Sequence, residues 1–184
     1  SVSTIRNDQD EFQRWTKFKT QALINFTATL ADKVRDHHPE LKTARSLYAS
    51  PVLNPTSETW FAQELNAFLG AYDHPTLMAM PYMEQAAEPN AWLRALVLAT
   101  ENYPGALDRT VFQLQTVDWN TQQKFPYETL REQFNTLRLA GAKHWAFYPF
   151  DFFAEQPEVE FFRSTISSSD FYPQEAFGRL PRAR

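Results

Sequence analysis

Apolar side chains recur every four residues near the start of the chain, at Phe18, Ala22, Phe26, Leu30 and Val34. This spacing keeps them on one face of an α-helix and predicts an amphipathic helix over residues 13–36. We expect the helix to end before His37-His38-Pro39, because proline disfavours helical geometry in the residue that precedes it.

Four short apolar runs follow, and each is short enough to be a buried strand. Three of them are closely followed by a proline, which ends a strand because it cannot donate a ladder hydrogen bond. The predicted strands cover residues 44–49, 76–80, 110–115 and 144–148.

Helical patterns separate these strands. The first opens at Asn54-Pro55-Thr56-Ser57 and ends at Gly70, with Phe61, Leu65, Phe68 and Leu69 as its buried stripe. The second starts at Pro89 and carries Trp92, Leu93, Leu96 and Val97. The third starts at Pro126, carries Leu130, Phe134 and Leu137, and precedes Gly141. A weaker helical segment covers residues 157–163.

The order is therefore one helix followed by four strand–helix units of about 30 to 35 residues each, the size of a βα unit. The fold class is α/β, and two architectures fit. A doubly wound sheet usually has a glycine-rich turn after its first strand, whereas the four glycines here, Gly70, Gly105, Gly141 and Gly178, form no such turn. The opening helix without its own strand favours the C-terminal half of a (β/α)₈ TIM-type barrel, so residues 1–184 are interpreted as one segment of such a domain.

Composition narrows the function classes. Hydrophobic residues make up 43% and charged residues 22%, as in globular proteins. The absence of cysteine excludes disulfides, thiol catalysis and thiolate metal sites. The net charge of −4 argues against a nucleic-acid partner, which normally meets a basic face. Ser1-Val2-Ser3-Thr4 lacks the features of a signal peptide, and no apolar run approaches the roughly 20 residues of a membrane span.

Aromatic residues reach 15%, and many follow the predicted strands, where ligands bind in barrels. The strand ends offer Tyr48, Asn54 and Trp60; then Met80, Pro81, Tyr82 and Glu84; then Gln113, Gln115, Asp118 and Trp119; and finally Tyr148, Asp151 and Phe152. Rings stack on sugar faces, and carboxylates and amides bind hydroxyls and amines, so these positions predict a polysaccharide groove. Since glycoside hydrolysis typically uses two carboxylates, Glu84, Asp118 and Asp151 are weak catalytic candidates.

Other roles compete for several of these residues. Trp92 and Trp145 are expected in the core, whereas Trp60 and Trp119 lie in loops. Asp73 precedes a strand, on the opposite rim, and suits a turn or salt bridge; Glu84 could cap a helix. The four histidines show no three-ligand spacing, so we expect no metal and no cofactor in this segment.

Several stretches carry a family resemblance: Lys42-Thr43-Ala44-Arg45-Ser46-Leu47-Tyr48-Ala49, Glu58-Thr59-Trp60-Phe61-Ala62-Gln63, Tyr72-Asp73, Met78-Ala79-Met80-Pro81-Tyr82-Met83-Glu84, Val111-Phe112-Gln113-Leu114-Gln115, Asp118-Trp119 and Phe147-Tyr148-Pro149. In this order the chain resembles the C-terminal, glycoside-hydrolase-like domain of the periplasmic poly-β-1,6-N-acetyl-D-glucosamine N-deacetylases of biofilm export systems. The likeness runs through almost the whole chain, and the stretch from Met78 to Glu84 is its most specific part.

The resemblance implies a two-domain secreted protein, in which a metal-dependent deacetylase domain precedes a (β/α)₈ domain that binds, and in several members cleaves, partly deacetylated polymer. It implies a periplasmic location with outer-membrane association, and as partners the polymer, the remaining barrel and deacetylase domain, and an export porin. On that pattern Trp60, Trp119 and Tyr148 line the groove. Positions at the strand ends add further candidate substrate-binding residues: Tyr82, Glu84, Gln113, Gln115, Asp118 and Asp151.

The chain departs from the family at two acidic positions and lacks a third feature. Gln113 stands where the family usually has glutamate, and Phe150 stands where aspartate usually follows the Tyr-Pro pair, although Asp151 comes next. The family's His-Asp-Asp stretch would lie upstream of Ser1. The resemblance therefore implies that the key acid is outside this segment and that the segment alone is inactive. Two alternatives stay open: a binding and export module without catalysis, and an unrelated α/β interaction domain whose aromatics are all core.

Overall fold

A computed structural model describes residues 8–151 and 153–166. Ser1–Thr4 and Phe152 lie outside these ranges. The first element is helix α1, Gln9–Arg35. The Asp8 carboxylate caps it by accepting the backbone N–H groups of Asp10 and Glu11 at 3.0 and 3.1 Å, which satisfies donors that have no partner inside the helix.

Four parallel strands form one sheet in sequence order. They are β1 (Ala44–Leu47), β2 (His74–Ala79), β3 (Val111–Gln115) and β4 (His144–Tyr148). This confirms the predicted strands to within two residues at each end and the predicted parallel, adjacent arrangement, which right-handed βα crossovers produce. Two isolated antiparallel bridges, Val117–Lys124 and Asp151–Gln156, lie in the loops.

The connections supply the remaining helices. Between β1 and β2 lie α2 (Ser50–Leu53), a 3₁₀ turn (Pro55–Ser57), α3 (Glu58–Phe61) and α4 (Leu65–Ala71). Between β2 and β3 lie α5 (Pro89–Glu101) and a 3₁₀ turn (Ala106–Asp108). Helix α6 (Tyr127–Leu139) follows β3, and α7 (Val159–Phe161) follows β4 and continues into a π turn (Phe162–Ile166).

The prediction of a single helix from residue 54 to Gly70 is wrong, because two separate helices, α3 and α4, cover this segment. Ala62 adopts a left-handed backbone conformation with φ of 52°, which ends α3. The chain starts a new helix after Glu64, whose carboxylate accepts the N–H groups of Asn66 and Ala67, each at 2.8 Å. Gly70 lies inside α4, which ends one residue later at Ala71. Gly70 is therefore not its terminator.

The core lies between the sheet and the helices that follow its strands. Leu77, Ala79, Phe112 and Leu114 alternate with less buried residues along β2 and β3 and are completely buried. On β4, the Trp145 ring packs on Phe134 of α6 with the centroids 5.0 Å apart. Since successive strand residues point to opposite faces, Met78, Gln113 and Ala146 lie on the other face, which lines the interior of a closed barrel.

Helix α1 is confirmed, but its four-residue apolar stripe faces outward. Phe18, Phe26 and Leu30 are 60%, 61% and 52% exposed, and the buried side is formed by Thr16, Thr20 and Ile24. Within residues 8–151 and 153–166 the stripe stays largely exposed, and the sheet ends at β1 on this side. In the same ranges, no helix is both long enough and apolar enough to cross a membrane.

Candidate saccharide-binding rim

The turns that follow the carboxyl ends of the four strands form what we call the strand-end rim. After β1, the short helix α3 carries Trp60, whose side chain is 85% exposed. A large ring held out on a structured turn gives a flat apolar surface at little cost in packing. Trp60 is therefore not a core residue.

Tyr48 lies beneath this turn at the end of β1. Its ring contacts that of Phe61 with centroids 4.8 Å apart, and its backbone N–H donates to the Gln63 side-chain oxygen at 2.9 Å. Asn54 accepts the Thr56 hydroxyl at 2.7 Å and so organises the 3₁₀ turn. These contacts make Tyr48 and Asn54 parts of the support of the Trp60 turn.

The turn after β2 carries Tyr82 and Glu84. Tyr82 is 40% exposed, and its ring lies 4.7 Å from that of Phe125. Glu84 is half-buried, and this burial raises the pKa of its carboxyl above the ordinary value. In the described ranges its carboxylate has no hydrogen bond or ion pair, so Glu84 does not cap a helix. Met80 and Pro81 are buried below them.

Gln115, at the end of β3, is 1% exposed. Its amide nitrogen donates to the Val117 carbonyl at 2.6 Å, and its oxygen accepts the Met83 N–H at 3.2 Å. Both ends of the amide are thus occupied within the protein, and Gln115 joins the loops after β2 and β3 instead of facing a ligand. Gln113 is half-buried on the inner face of the sheet, paired in register with Met78 and Ala146.

Trp119 and Tyr148 meet across the loops after β3 and β4. Their ring centroids are 5.9 Å apart at 56°, with Tyr148 53% exposed and Trp119 half-buried. The Tyr148 carbonyl also accepts the Thr116 N–H at 2.9 Å. The pair therefore forms a partly open aromatic wall on adjoining loops.

Asp118 and Asp151 each use one carboxylate oxygen to shape a turn. Asp118 Oδ1 accepts the N–H of Asn120 at 2.7 Å and that of Thr121 at 3.3 Å. Asp151 Oδ1 accepts the N–H groups of Phe153 and Ala154 at 2.9 and 3.0 Å. Asp151 is exposed and Asp118 half-buried, which leaves the second oxygen of each for other contacts.

The opposite rim has a structural character. Asp73 accepts the backbone N–H of Thr43 at 2.7 Å and the Thr43 hydroxyl at 2.9 Å, and these bonds lower the pKa of its carboxyl. Arg35 lies 3.8 Å from the same oxygen, as expected for a turn residue with a salt bridge. Among the described residues no group of three histidine, aspartate or glutamate side chains could hold a metal ion.

Sequence reasoning missed several supports of this rim. Phe125 lies in a segment without a motif, and Gln63 ends a stretch that carries the family resemblance, but only their contacts with Tyr82 and with the Tyr48 N–H reveal their supporting roles. Glu58 belongs to one of the stretches that carry the family resemblance, yet the sequence does not indicate that it is only 6% exposed. A carboxylate is rarely buried, so its burial is not expected from the sequence pattern.

Comparison with known proteins places the chain among carbohydrate-active relatives. The model of hypothetical glycosyl hydrolase family 13 matches residues 1–148. The poly-β-1,6-N-acetyl-D-glucosamine N-deacetylases of Escherichia coli strains K12 and O157:H7 are each 38% identical over 180 residues, which is 95% of this chain and 27% of theirs. The chain thus spans about a quarter of the length of these curated relatives.

A solved structure is similar as well. The glycoside hydrolase domain of PgaB (BpsB) from Bordetella bronchiseptica superposes with a TM-score of 0.85 at 42% identity, over 90% of this chain and 47% of that one. Four parallel strands that match about half of such a domain agree with the half-barrel predicted from the sequence.

Proposed function

The chain belongs to the hypothetical glycosyl hydrolase family 13, and from this membership we propose that it binds partly deacetylated poly-β-1,6-N-acetyl-D-glucosamine along its strand-end rim. In the complete parent, the same rim takes part in hydrolysis of this polymer during biofilm exopolysaccharide modification and export. The polymer is that named for the Escherichia coli relatives.

The observation that carries the proposal is the exposed Trp60 on the same rim as the Trp119–Tyr148 pair. A repeating sugar has apolar faces at regular intervals, and rings on successive loops suit such a ligand. Tyr82 adds a fourth ring at the end of β2. The alternative of an unrelated α/β interaction domain, in which all aromatic residues lie in the core, does not account for a tryptophan that is 85% exposed.

The carboxylates of the rim supply the charge preference. Deacetylation converts an acetamide into an amine that is cationic near neutral pH, and Glu84, Asp118 and Asp151 follow three neighbouring strands. Opposite charges at a cleft attract over a distance set by the ionic strength. Gln113 contributes amide contacts where relatives of this kind usually have glutamate.

Hydrolysis needs more than attraction, because two carboxylates must flank the scissile bond. Asp118 and Asp151 each use one oxygen for a turn, and Glu84 has the raised pKa that suits a proton donor. We place the principal acid in the part of the barrel that this chain does not span, and the segment alone is then inactive.

The wider setting is part of the same proposal. The parent acts in the periplasm, associated with the outer membrane, with a metal-dependent deacetylase domain before the barrel and an export porin as a neighbour. Nucleic acid is not among its partners. A second candidate function, binding and guidance of the polymer without cleavage, is favoured by Gln113 and Phe150 at positions where an acid is usual.

A titration tests the proposal. The chain is titrated calorimetrically with fully acetylated and with partly deacetylated oligomers, at about 50 mM and about 500 mM salt, which changes the screening length more than two-fold. We expect tighter binding of the partly deacetylated oligomer at low salt and a smaller preference at high salt. Failure to bind either oligomer, or a preference for the acetylated one that salt does not change, would overturn the proposal. Cleavage by the intact parent then separates hydrolysis from guidance.

A further inference from the structure

Beneath the exposed Trp60 lies a buried carboxylate. Glu58, the first residue of α3, is 6% exposed. Its Oε2 accepts a hydrogen bond from Lys17 Nζ of α1 at 2.6 Å, and its Oε1 accepts one from the Thr20 hydroxyl, also of α1, at 2.8 Å. Both oxygens are therefore engaged by a helix about 40 positions earlier in the chain.

A second lysine of α1 forms a hydrogen bond to the same turn. Lys19 Nζ donates to the Thr59 carbonyl at 2.7 Å, directly beside Trp60. On the other side of the turn, the Phe61 ring contacts the Tyr48 ring at a tilt of 37°, and the Ser57 and Ser50 hydroxyls share a hydrogen bond at 2.9 Å. The backbone on either side of Trp60 is thus fixed from two directions, while the indole itself remains 85% exposed.

We propose that Glu58 is a positioning residue, which works through Lys17 and Thr20 to hold the Trp60 turn against α1 and so presents the indole in the orientation that stacks on a sugar. The proposal rests on the function proposed above. It deepens it by assigning a role to a residue that does not itself touch the ligand.

The physical reason is preorganisation. A ring on a loose turn must be ordered when the ligand binds, and that ordering reduces affinity. The ion pair between the exposed Lys17 and the buried Glu58 is weak support for stability, because desolvation of the carboxylate offsets much of the attraction. A carboxylate with two directional hydrogen-bond partners nevertheless fixes the conformation of the turn that carries it. Here that turn also carries Trp60, the residue that faces the ligand.

The test uses Glu58→Gln, which keeps the size of the side chain and removes its charge. All tryptophans of the full chain are replaced by 5-fluorotryptophan, and the Trp60 fluorine resonance is assigned by its loss in Trp60→Phe. We expect E58Q to shift or broaden this resonance selectively. We also expect it to weaken binding of the partly deacetylated oligomer roughly two- to ten-fold, the cost of ordering one side chain at an interface.

Two comparisons make the result specific. Asp108→Asn removes another carboxylate–lysine pair, that of Asp108 with Lys143 on the opposite rim, and should leave both the Trp60 resonance and the affinity unchanged. In a Trp60→Ala background, E58Q should cause no further loss of affinity, because its effect passes through the indole. Thr20→Val removes one bond to Glu58 without a change of charge and should affect the resonance in the same direction.

The outcomes separate the two proposals. If the wild-type chain binds neither oligomer, the saccharide-binding function is wrong, and the fluorine spectrum still decides whether Glu58 orders the turn. If the wild type binds and Trp60→Ala binds equally well, the indole is not part of the binding surface and the role of Glu58 in presenting it is refuted. If the Trp60 resonance is unchanged in both E58Q and T20V, the positioning role is refuted. The positioning role is also refuted if E58Q causes the same loss of affinity in the Trp60→Ala background as in the wild type, since the carboxylate would then affect binding independently of the indole.

Discussion

Replacement of Trp60 with alanine should separate binding from folding. A large aromatic side chain buries roughly 150–250 Å² when fully enclosed, and Trp60 is 85% exposed, so the enclosed remainder is roughly 20–40 Å². At about 25 cal/mol per Å² this contributes about 0.5–1 kcal/mol to the free energy of unfolding. The variant should therefore melt close to the wild-type temperature.

The expected effect on affinity is larger. By analogy with bases stacked on aromatic side chains, a ring–sugar contact is worth about 1–3 kcal/mol. With about 1.4 kcal/mol for each ten-fold change, the Kd for the partly deacetylated oligomer should rise about five- to 150-fold. Trp119→Ala should weaken binding in the same way but cost more stability, because Trp119 is half-buried against Tyr148.

Calorimetric titration and thermal unfolding of the same samples provide the assay. Leu139→Ala is the matched control, since Leu139 is 77% exposed but ends α6 at the opposite rim, and it should alter neither quantity. Phe112→Ala sets the other limit, because a fully buried phenylalanine costs about 3–5 kcal/mol when truncated. Wild-type affinity in Trp60→Ala, or a loss of stability near that of Phe112→Ala, would refute the placement of Trp60.

Two further predictions concern the carboxylates of the rim. Burial raises the folded-state pKa of Glu84 above the ordinary 4.5, so the folded chain holds this proton more tightly than the unfolded chain does. The free energy of unfolding of the wild type should therefore fall relative to that of Glu84→Gln as pH rises from about 4 to about 8, and the two free energies should converge at the acid end. Urea unfolding at both pH limits measures this difference. A difference that changes in the opposite direction would contradict the burial argument. In an end-group assay on partly deacetylated polymer, the 184-residue chain should show no turnover while the complete barrel does. Turnover by the short chain would mean that Glu84, Asp118 or Asp151 is itself catalytic.

The sheet was predictable because its signals are local. Each strand is a short apolar run, and prolines such as Pro81 and Pro149 stop the pattern close to where the strands end. The sequence could not show the break at Ala62, since alanine is a strong helix former and its left-handed conformation is imposed by its surroundings. The spacing of apolar residues correctly predicted helix α1 and its apolar stripe. Periodicity shows which residues share a helix face, but it does not show whether that face is packed against another element.

The rim was predictable in its membership and less so in its roles. Trp60 and Tyr148 are exposed as a ligand surface requires. Gln115 lies at the carboxyl end of β3, as a ligand-binding residue would, yet its side-chain amide is hydrogen-bonded to the Val117 carbonyl and the Met83 N–H. Such partners come from loops whose approach depends on the whole fold. The same holds for Glu58, whose partners Lys17 and Thr20 lie in another helix.

The order of the strands has a consequence for how this fold assembles. The register pairs Ala44 with His74, Thr76 with Val111 and Val111 with His144, so every strand contact closes a loop of only about 30 to 35 residues. Among the pairs formed by the four described strands, none requires a distant segment, and each βα unit can dock on the one made just before it. Growth from the amino end toward the carboxyl end is thus possible during synthesis, with each new strand templated by the last.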